Sequence, residues 1–228
     1  PGVYTIMEED PGAHWTVTNS TTTGTVTVAP GDLCADASIT ITNTYNSSCL
    51  EITKVVEFGS LVNSAGVDET FTVRVVGPSY PDPGTTIEFV VDDGVLVTSV
   101  PQTLSNLIPG SYTVTEDDAG DEWDEVVPVG PVTVSAGLSC ASATVTNTYV
   151  PGCLNITKLI VWDNLVGQEY VDETFTINVT GPSYPGGHDV VFDLVDGVIS
   201  GDNYECLCNL IPGVYTIMEE DPGAHWTV

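Results

Sequence analysis

Only two lysines occur in the 228 residues, Lys54 and Lys158, and both close the same short repeat, LEITK at 50–54 and LNITK at 154–158. Residues of equal parity in a β-strand share a face. Lys54 is in phase with Ile52 and Val56, and Lys158 with Ile156 and Ile160, so each amine is predicted to point to the apolar side. The same test groups Glu116 with Tyr112 and Val114, Glu8 with Tyr4 and Ile6, and Glu219 with Tyr215 and Ile217. It groups Asn147 with Val145 and Tyr149, and Asn43 with Ile39, Ile41 and Tyr45. An amine, a carboxyl and a carboxamide are thus predicted to face one core. A lone buried ammonium costs too much to persist, so it must be paired or neutral. Burial lowers a lysine pKa and raises a glutamate pKa. A neutral amine is a nucleophile, and a protonated glutamate beside it can polarise a carboxamide and shuttle protons. Attack on the asparagine carboxamide would release ammonia and leave an amide crosslink.

The elements that must position these groups come in repeats. Residues 1–17, PGVYTIMEEDPGAHWTV, recur letter for letter at 212–228, an offset of 211 residues. A looser repeat lies inside: VDETFTVRVVGPSYP (67–81) and VDETFTINVTGPSYP (171–185), NLIPGSYTVTE (106–116) and NLIPGVYTIME (209–219), ITITNTY (39–45) and ATVTNTY (143–149). The reading is two alternating module types of roughly 105 residues each, within the ordinary domain range. Residues 49–150 form a complete module, 1–48 the C-terminal part of a module of the other type, and 151–228 the N-terminal part of the next. The chain then reads as a window cut from a longer array. Short runs of alternating polarity, rich in Val and Thr and separated by Gly, Pro, Asn and Asp, predict strands. The fold class expected is all-β, a tandem array of immunoglobulin-like or transthyretin-like β-sandwiches. The links Asn46–Ser48 and Val150–Gly152 are short, which favours a semi-rigid rod.

In order and spacing, ITK on a first strand, Tyr-x-[Val/Ile]-x-Glu on a late strand and VTNTY on the last resemble the Cna-B (SpaA-like) repeats of microbial surface adhesins and pili. The resemblance covers the whole chain, as one complete and two partial modules. It implies a spontaneous intramolecular isopeptide bond between lysine and asparagine, promoted by the acidic residue. Carried over, Lys54 would join Asn147 with Glu116 as promoter. Lys158 and Glu219 would meet the equivalent of Asn43 in the next copy, and Glu8 and Asn43 would receive a lysine from upstream.

Cys49 and Cys153 precede first strands, and Cys34 and Cys140 precede last strands. Cys34 and Cys49 are held apart by an intervening strand of roughly 33 Å. If first and last strands run parallel, as the lysine–asparagine pairing suggests, Cys49 meets Cys140, and Cys153 meets the Cys34 equivalent of the adjoining copy. Cys206 and Cys208 occur in the second module type alone. They fit a disulfide, two free thiols or a metal site, the last being the weakest because no His or Cys cluster stands nearby.

Composition sets the outer bounds. Thirty-two acidic residues against three basic ones give a net charge of −29, which repels nucleic acid. No apolar run reaches the roughly 18 residues of a membrane helix, so membrane insertion is not expected. No signal peptide is visible, and the even cysteine count suits an oxidising, extracellular surface. The sequons at Asn19, Asn46, Asn155 and Asn178 are glycosylation candidates. No cofactor is called for. Calcium at the acidic run Asp117–Glu125 is the exception to test, although its spacing is irregular. Trp15, Trp123 and Trp226 each follow a promoter glutamate by seven residues, a packing position first and a carbohydrate-stacking one second. His14, His188 and His225 form no catalytic arrangement, and no nucleophile elbow, phosphate loop or zinc signature occurs. The expectation is a structural component of a surface fibre or stalk, not an enzyme, with neighbouring copies of the repeat as partners. The alternative is an adhesin whose repeats grip a surface or carbohydrate ligand.

Overall fold

A computed structural model describes the chain except Thr22, Val129, Leu138 and Val228. Strands dominate, and the one helical turn among the described residues is a 3₁₀ turn at Gln168–Tyr170. The first four strands are β1 (Gly2–Thr5), β2 (Trp15–Asn19), β3 (Thr25–Val28) and β4 (Ile41–Tyr45). Nine follow: β5 (Ser48–Glu57), β6 (Glu69–Gly77), β7 (Tyr80–Asp92), β8 (Val95–Leu96), β9 (Gln102–Leu107), β10 (Gly110–Glu116), β11 (Trp123–Val126), β12 (Val132–Val134) and β13 (Ala141–Tyr149). The last six are β14 (Gly152–Thr157), β15 (Glu173–Gly181), β16 (Tyr184–Val195), β17 (Val198–Ile199), β18 (Tyr204–Leu210) and β19 (Thr216–Glu219).

Strands β5–β13 make a two-sheet sandwich. One sheet has the order β12-β10-β6-β7-β8 and the other β11-β13-β5-β9. Alternation decides which residues go inside: Leu50, Ile52 and Lys54 on β5, Phe71, Val73 and Val75 on β6, Tyr112 and Val114 on β10, and Val145 and Asn147 on β13 are all buried. The turn from β7 to β8 uses Asp93 and Gly94 at φ 48° and 73°, the left-handed pair that a two-residue hairpin needs. Most pairings are antiparallel, but β5 and β13 lie side by side and parallel, with Lys54 opposite Val145 and Val56 opposite Asn147. The first and last strands of the sandwich are therefore neighbours pointing the same way.

The flanking segments repeat parts of this plan. β1 pairs β3 as β10 pairs β12, with Gly2 opposite Val28 where the sandwich has Gly110 opposite Val134. β2 pairs β4 as β11 pairs β13: Trp15 faces Tyr45 and Val17 faces Asn43, where the sandwich has Trp123 with Tyr149 and Glu125 with Asn147. Strands β14–β19 reproduce β5–β10, with Glu219 opposite Ile177 as Glu116 is opposite Val73. They close a smaller core around Phe175, Ile177, Val179, Phe192 and Leu194. β1, β2 and most of β4 remain exposed, because no opposing sheet covers them.

The sequence repeat GPSY has a packing cause that sequence reasoning did not reach. The Tyr112 hydroxyl donates to the Ile108 carbonyl at 2.8 Å and is linked to the Ser79 Oγ at 2.8 Å. Tyr215 does the same with Ile211 and Ser183. A Cβ on Gly77 or Gly181 would overlap the ring of its tyrosine, so glycine is required by close approach rather than by its φ.

Candidate functional site

The amine, carboxyl and carboxamide of the sandwich come from three strands. Lys54 projects inward from the middle of β5, and Asn147 lies diagonally beside it on the parallel neighbour β13. Glu116, at the end of β10, reaches across from the opposite sheet. The Lys54 Nζ donates hydrogen bonds both to the Glu116 Oε1 and to the Asn147 Oδ1. Lys54 is 2% exposed and Asn147 0%, and the Lys54–Glu116 side chains are fully buried. The Phe71 ring of β6 lies 3.8 Å from the amine to its centroid, which excludes water from that side. Burial pushes the Lys54 amine below its ordinary value, opposed by its hydrogen bond to Glu116 and by the charges of Glu116 and Glu125. At this site two buried polar atoms, the Asn147 Nδ2 and the Glu116 Oε2, have no hydrogen-bond partner among the described residues. Such orphans are costly in a packed interior.

The other two sets are divided. Lys158 meets Glu219 in the same way, with the Phe175 ring at 4.2 Å. No asparagine side chain is hydrogen-bonded to that amine among the described residues. A cavity of about 840 Å³ opens there instead, lined by Lys158, Phe175, Glu219 and Trp226 among others. On the first segment the Asn43 Nδ2 donates to the Glu8 Oε1 at 2.6 Å, at an exposed position.

A disulfide joins Cys49 at the start of β5 to Cys140 just before β13, with Cα atoms 4.5 Å apart. Within this chain Cys153 is bonded to Cys208, whereas the pairing with a Cys34 equivalent concerns an adjoining copy. The reason is local, since β14 pairs antiparallel with β18 and places Cys153 opposite Cys208. Cys34 and Cys206 are free and exposed. The Cys206 Sγ lies 3.4 Å from that of Cys208, and Cys153, Cys206 and Cys208 are the single group of ligating side chains gathered to one point among the described residues. The carboxylates of Asp117–Glu125 do not gather in that way. Asp117 instead pairs with Arg74 at 3.3 Å.

Trp123 packs edge-on against Phe71 and Tyr149, and Trp226 against Phe175. Both are packing residues, and Trp15 stacks edge-on with Tyr45. Of the sequons, Asn19 and Asn155 are exposed. The Asn46 Oδ1 accepts from the Thr16 hydroxyl at 3.0 Å, and the Asn178 Nδ2 donates to Asp189 at 2.7 Å. Sequence reasoning passed over Phe71 and Phe175 as walls of the amine sites. It also treated Glu125 only as one member of an acidic run.

Residues 50–150 match the profile of a family described as Domain of unknown function (DUF5979), less than half of the chain. Among solved structures the chain is similar to the Bacillus anthracis TIE protein, with 18% identity and a TM-score of 0.40 over 86% of this chain and 34% of that one. It is also similar to a streptococcal ancillary pilin, with 13% identity and a TM-score of 0.28 over 86% of this chain and 66% of that one. The chain thus spans about a third of the length of the first. Comparison with curated proteins gives no match. The architecture is all-β, built of sandwich modules.

Proposed function

We propose that the chain is part of an extracellular, load-bearing fibre or stalk whose sandwich modules are welded by Lys–Asn isopeptide bonds and disulfides. The observation that carries this reading is the buried trio. The Lys54 amine touches the Asn147 carboxamide and the Glu116 carboxyl, while the Asn147 Nδ2, the leaving group, has no partner. A structural ion pair alone would leave that amide nitrogen orphaned; loss of ammonia removes the orphan. In the reaction the neutral Nζ attacks Cγ of Asn147 while Glu116 protonates the amide oxygen. Glu116 then carries a proton from Nζ to Nδ2, the Cγ–Nδ2 bond breaks, ammonia leaves, and the proton on the amide oxygen returns to Glu116 as the carbonyl of the new amide re-forms. The bond ties β5 to β13, adjacent parallel strands that carry the two ends of the module.

Residues 49–150 would be one complete module, with 1–48 and 151–228 as complementary parts of the second type. Matching strand registers support this partition. So does the division of groups: Lys158 and Glu219 without an asparagine, Glu8 and Asn43 without a lysine. The free edge beside Lys158 then corresponds to the place β13 fills in the sandwich. The acidic, sequon-bearing surface suits exposure outside the cell, and no site among the described residues resembles an enzyme's. Neighbouring copies of the repeat would be the partners.

Intact mass of the denatured, reduced chain tests the central claim. The expected mass is lower than the sequence mass by one ammonia, about 17 Da, with a crosslinked peptide containing Lys54 and Asn147 after digestion. Asn147→Ala should restore the full mass. A wild-type chain at full mass ends this reading.

A further inference from the structure

The GPSY ties also pin a turn. The Ile211 amide donates to the Ser183 Oγ at 2.7 Å, and its carbonyl accepts from the Tyr215 hydroxyl. Ile108 is held by Ser79 and Tyr112 in the same way. Both isoleucines lie in the repeated run NLIPG, at 106–110 and 209–213. Their surroundings differ. Ile211 is 7% exposed and joins the core cluster of the β5–β13 sandwich, against which Phe58 and Leu61 of the loop between β5 and β6 also pack. Ile108 is 46% exposed. Beside Ile211, the Ser60 hydroxyl donates to the Asn209 Oδ1 at 2.8 Å and the Val62 amide to the Asn209 carbonyl at 2.9 Å. The loop after β5 thus grips the turn after β18, across the boundary between the sandwich and the segment that follows it.

The loop has a copy as well. FGSLV at 58–62 corresponds to WDNLV at 162–166, in the same frame that relates Lys54 to Lys158. The Leu61 amide donates to the Phe58 carbonyl and the Leu165 amide to the Trp162 carbonyl, so both loops make the same turn. Asn164 stands where Ser60 does and also carries a donor. Yet Leu165 is 53% exposed and Val166 94%. Among the described residues there is thus one filled joint, with a bare copy of each half: the turn at Ile108 and the loop at Val166. We infer that these two bare surfaces are docking sites for neighbouring modules, the turn at Ile108 taking the loop of the module before and the loop at 164–166 gripping the NLIPG turn of the module after. This rests on the tandem-module reading and adds what fixes the angle between modules. The short link Val150–Gly152 keeps the two halves of the filled joint close, so a small contact suffices to hold them together.

Amide hydrogen exchange of the full chain reads the joint residue by residue. The Val62 amide should exchange at least about tenfold more slowly than the Val166 amide, its bare counterpart. Ile211→Ser should speed Val62 about tenfold. Ser60→Ala, at an exposed position, should speed it about threefold, and carries the test alone should Ile211→Ser unfold its segment. Val73, inside the sandwich, should not change in either variant. A Val62 amide as fast as that of Val166, with Val73 still protected, overturns the joint. A longer chain, with residues 18–150 placed again after Val228 so that the repeat continues, tests the bare halves. There the Val166 amide should slow about tenfold, to match Val62. A Val166 amide that stays fast while the added residues 41–45 are protected overturns the recurrence alone; added residues 41–45 that stay unprotected overturn the tandem-module reading with it.

Discussion

Lys54 makes the site's chemistry testable through pH even where no bond can form. In an Asn147→Ala chain the amine stays free and buried. The folded state holds its pKa below the ordinary 10.5. Between that lowered value and 10.5 the unfolded chain binds more protons than the folded one, so stability rises with pH through this window. Urea unfolding at about pH 8 and about pH 10 should show the rise in Asn147→Ala and lose it when Lys54→Met is added. Equal slopes in the two chains would mean that Lys54 is not desolvated. The placement of Lys54, Glu116 and Asn147 was legible because each sits mid-strand among apolar residues of its own parity. Glu125, whose charge bears on the Lys54 amine, was not legible: it lies in a run of acids, and its place opposite Asn147 depends on the β11–β13 register, which local pattern does not reveal. Phe71 was hidden in another way, since an aromatic on a core face looks the same whether it packs against leucine or against an amine.

At the scale of elements, two links tie the same pair of strands. Cys49 and Cys140 close a loop with a sequence separation of 91 residues, and the Lys54–Asn147 bond would close nearly the same loop a few residues further along. The second link confines only the short stretch between them, about 12 residues. Chain entropy then assigns about 3 kcal/mol to removing either link while the other stands, and about 4–5 kcal/mol more to removing the survivor. A double-mutant cycle with Cys49→Ser/Cys140→Ser and Asn147→Ala should therefore show coupling of about 1–2 kcal/mol by denaturant unfolding. Strict additivity would show that the two links act on different loops. The strands themselves were readable from alternation and turn residues, and the repeated sequences fold into strands of matching register. The Cys153–Cys208 pairing was not readable, because it follows from an antiparallel register between β14 and β18 that no local motif announces. The GPSY motif was visible as a repeat, but the tyrosine that binds its serine, Tyr112 for Ser79, lies 33 residues further on, beyond any local pattern.

Over the whole molecule the charge of −29 is carried almost without counter-charges, with Arg74–Asp117 as an isolated surface pair. Self-repulsion of this size opposes the compact state and is screened by salt, the Debye length falling from about 10 Å at 0.1 M to about 3 Å at 1 M. The thermal midpoint of the chain should climb steadily across that range of sodium chloride. A flat or falling midpoint would show that the carboxylates are spaced too widely to repel one another.

The Cys49–Cys140 bridge also sets which part of the chain is expendable. Tension entering at Ser48 reaches β13 through the sulfur bond without travelling through residues 50–139, so every hairpin tip in that span is off the line of tension. A protease that nicks one of those tips leaves the two ends still tethered. If the amide weld is present too, the tether outlasts a reducing agent. Wear on the outer loops of such a module would accumulate without parting the cable.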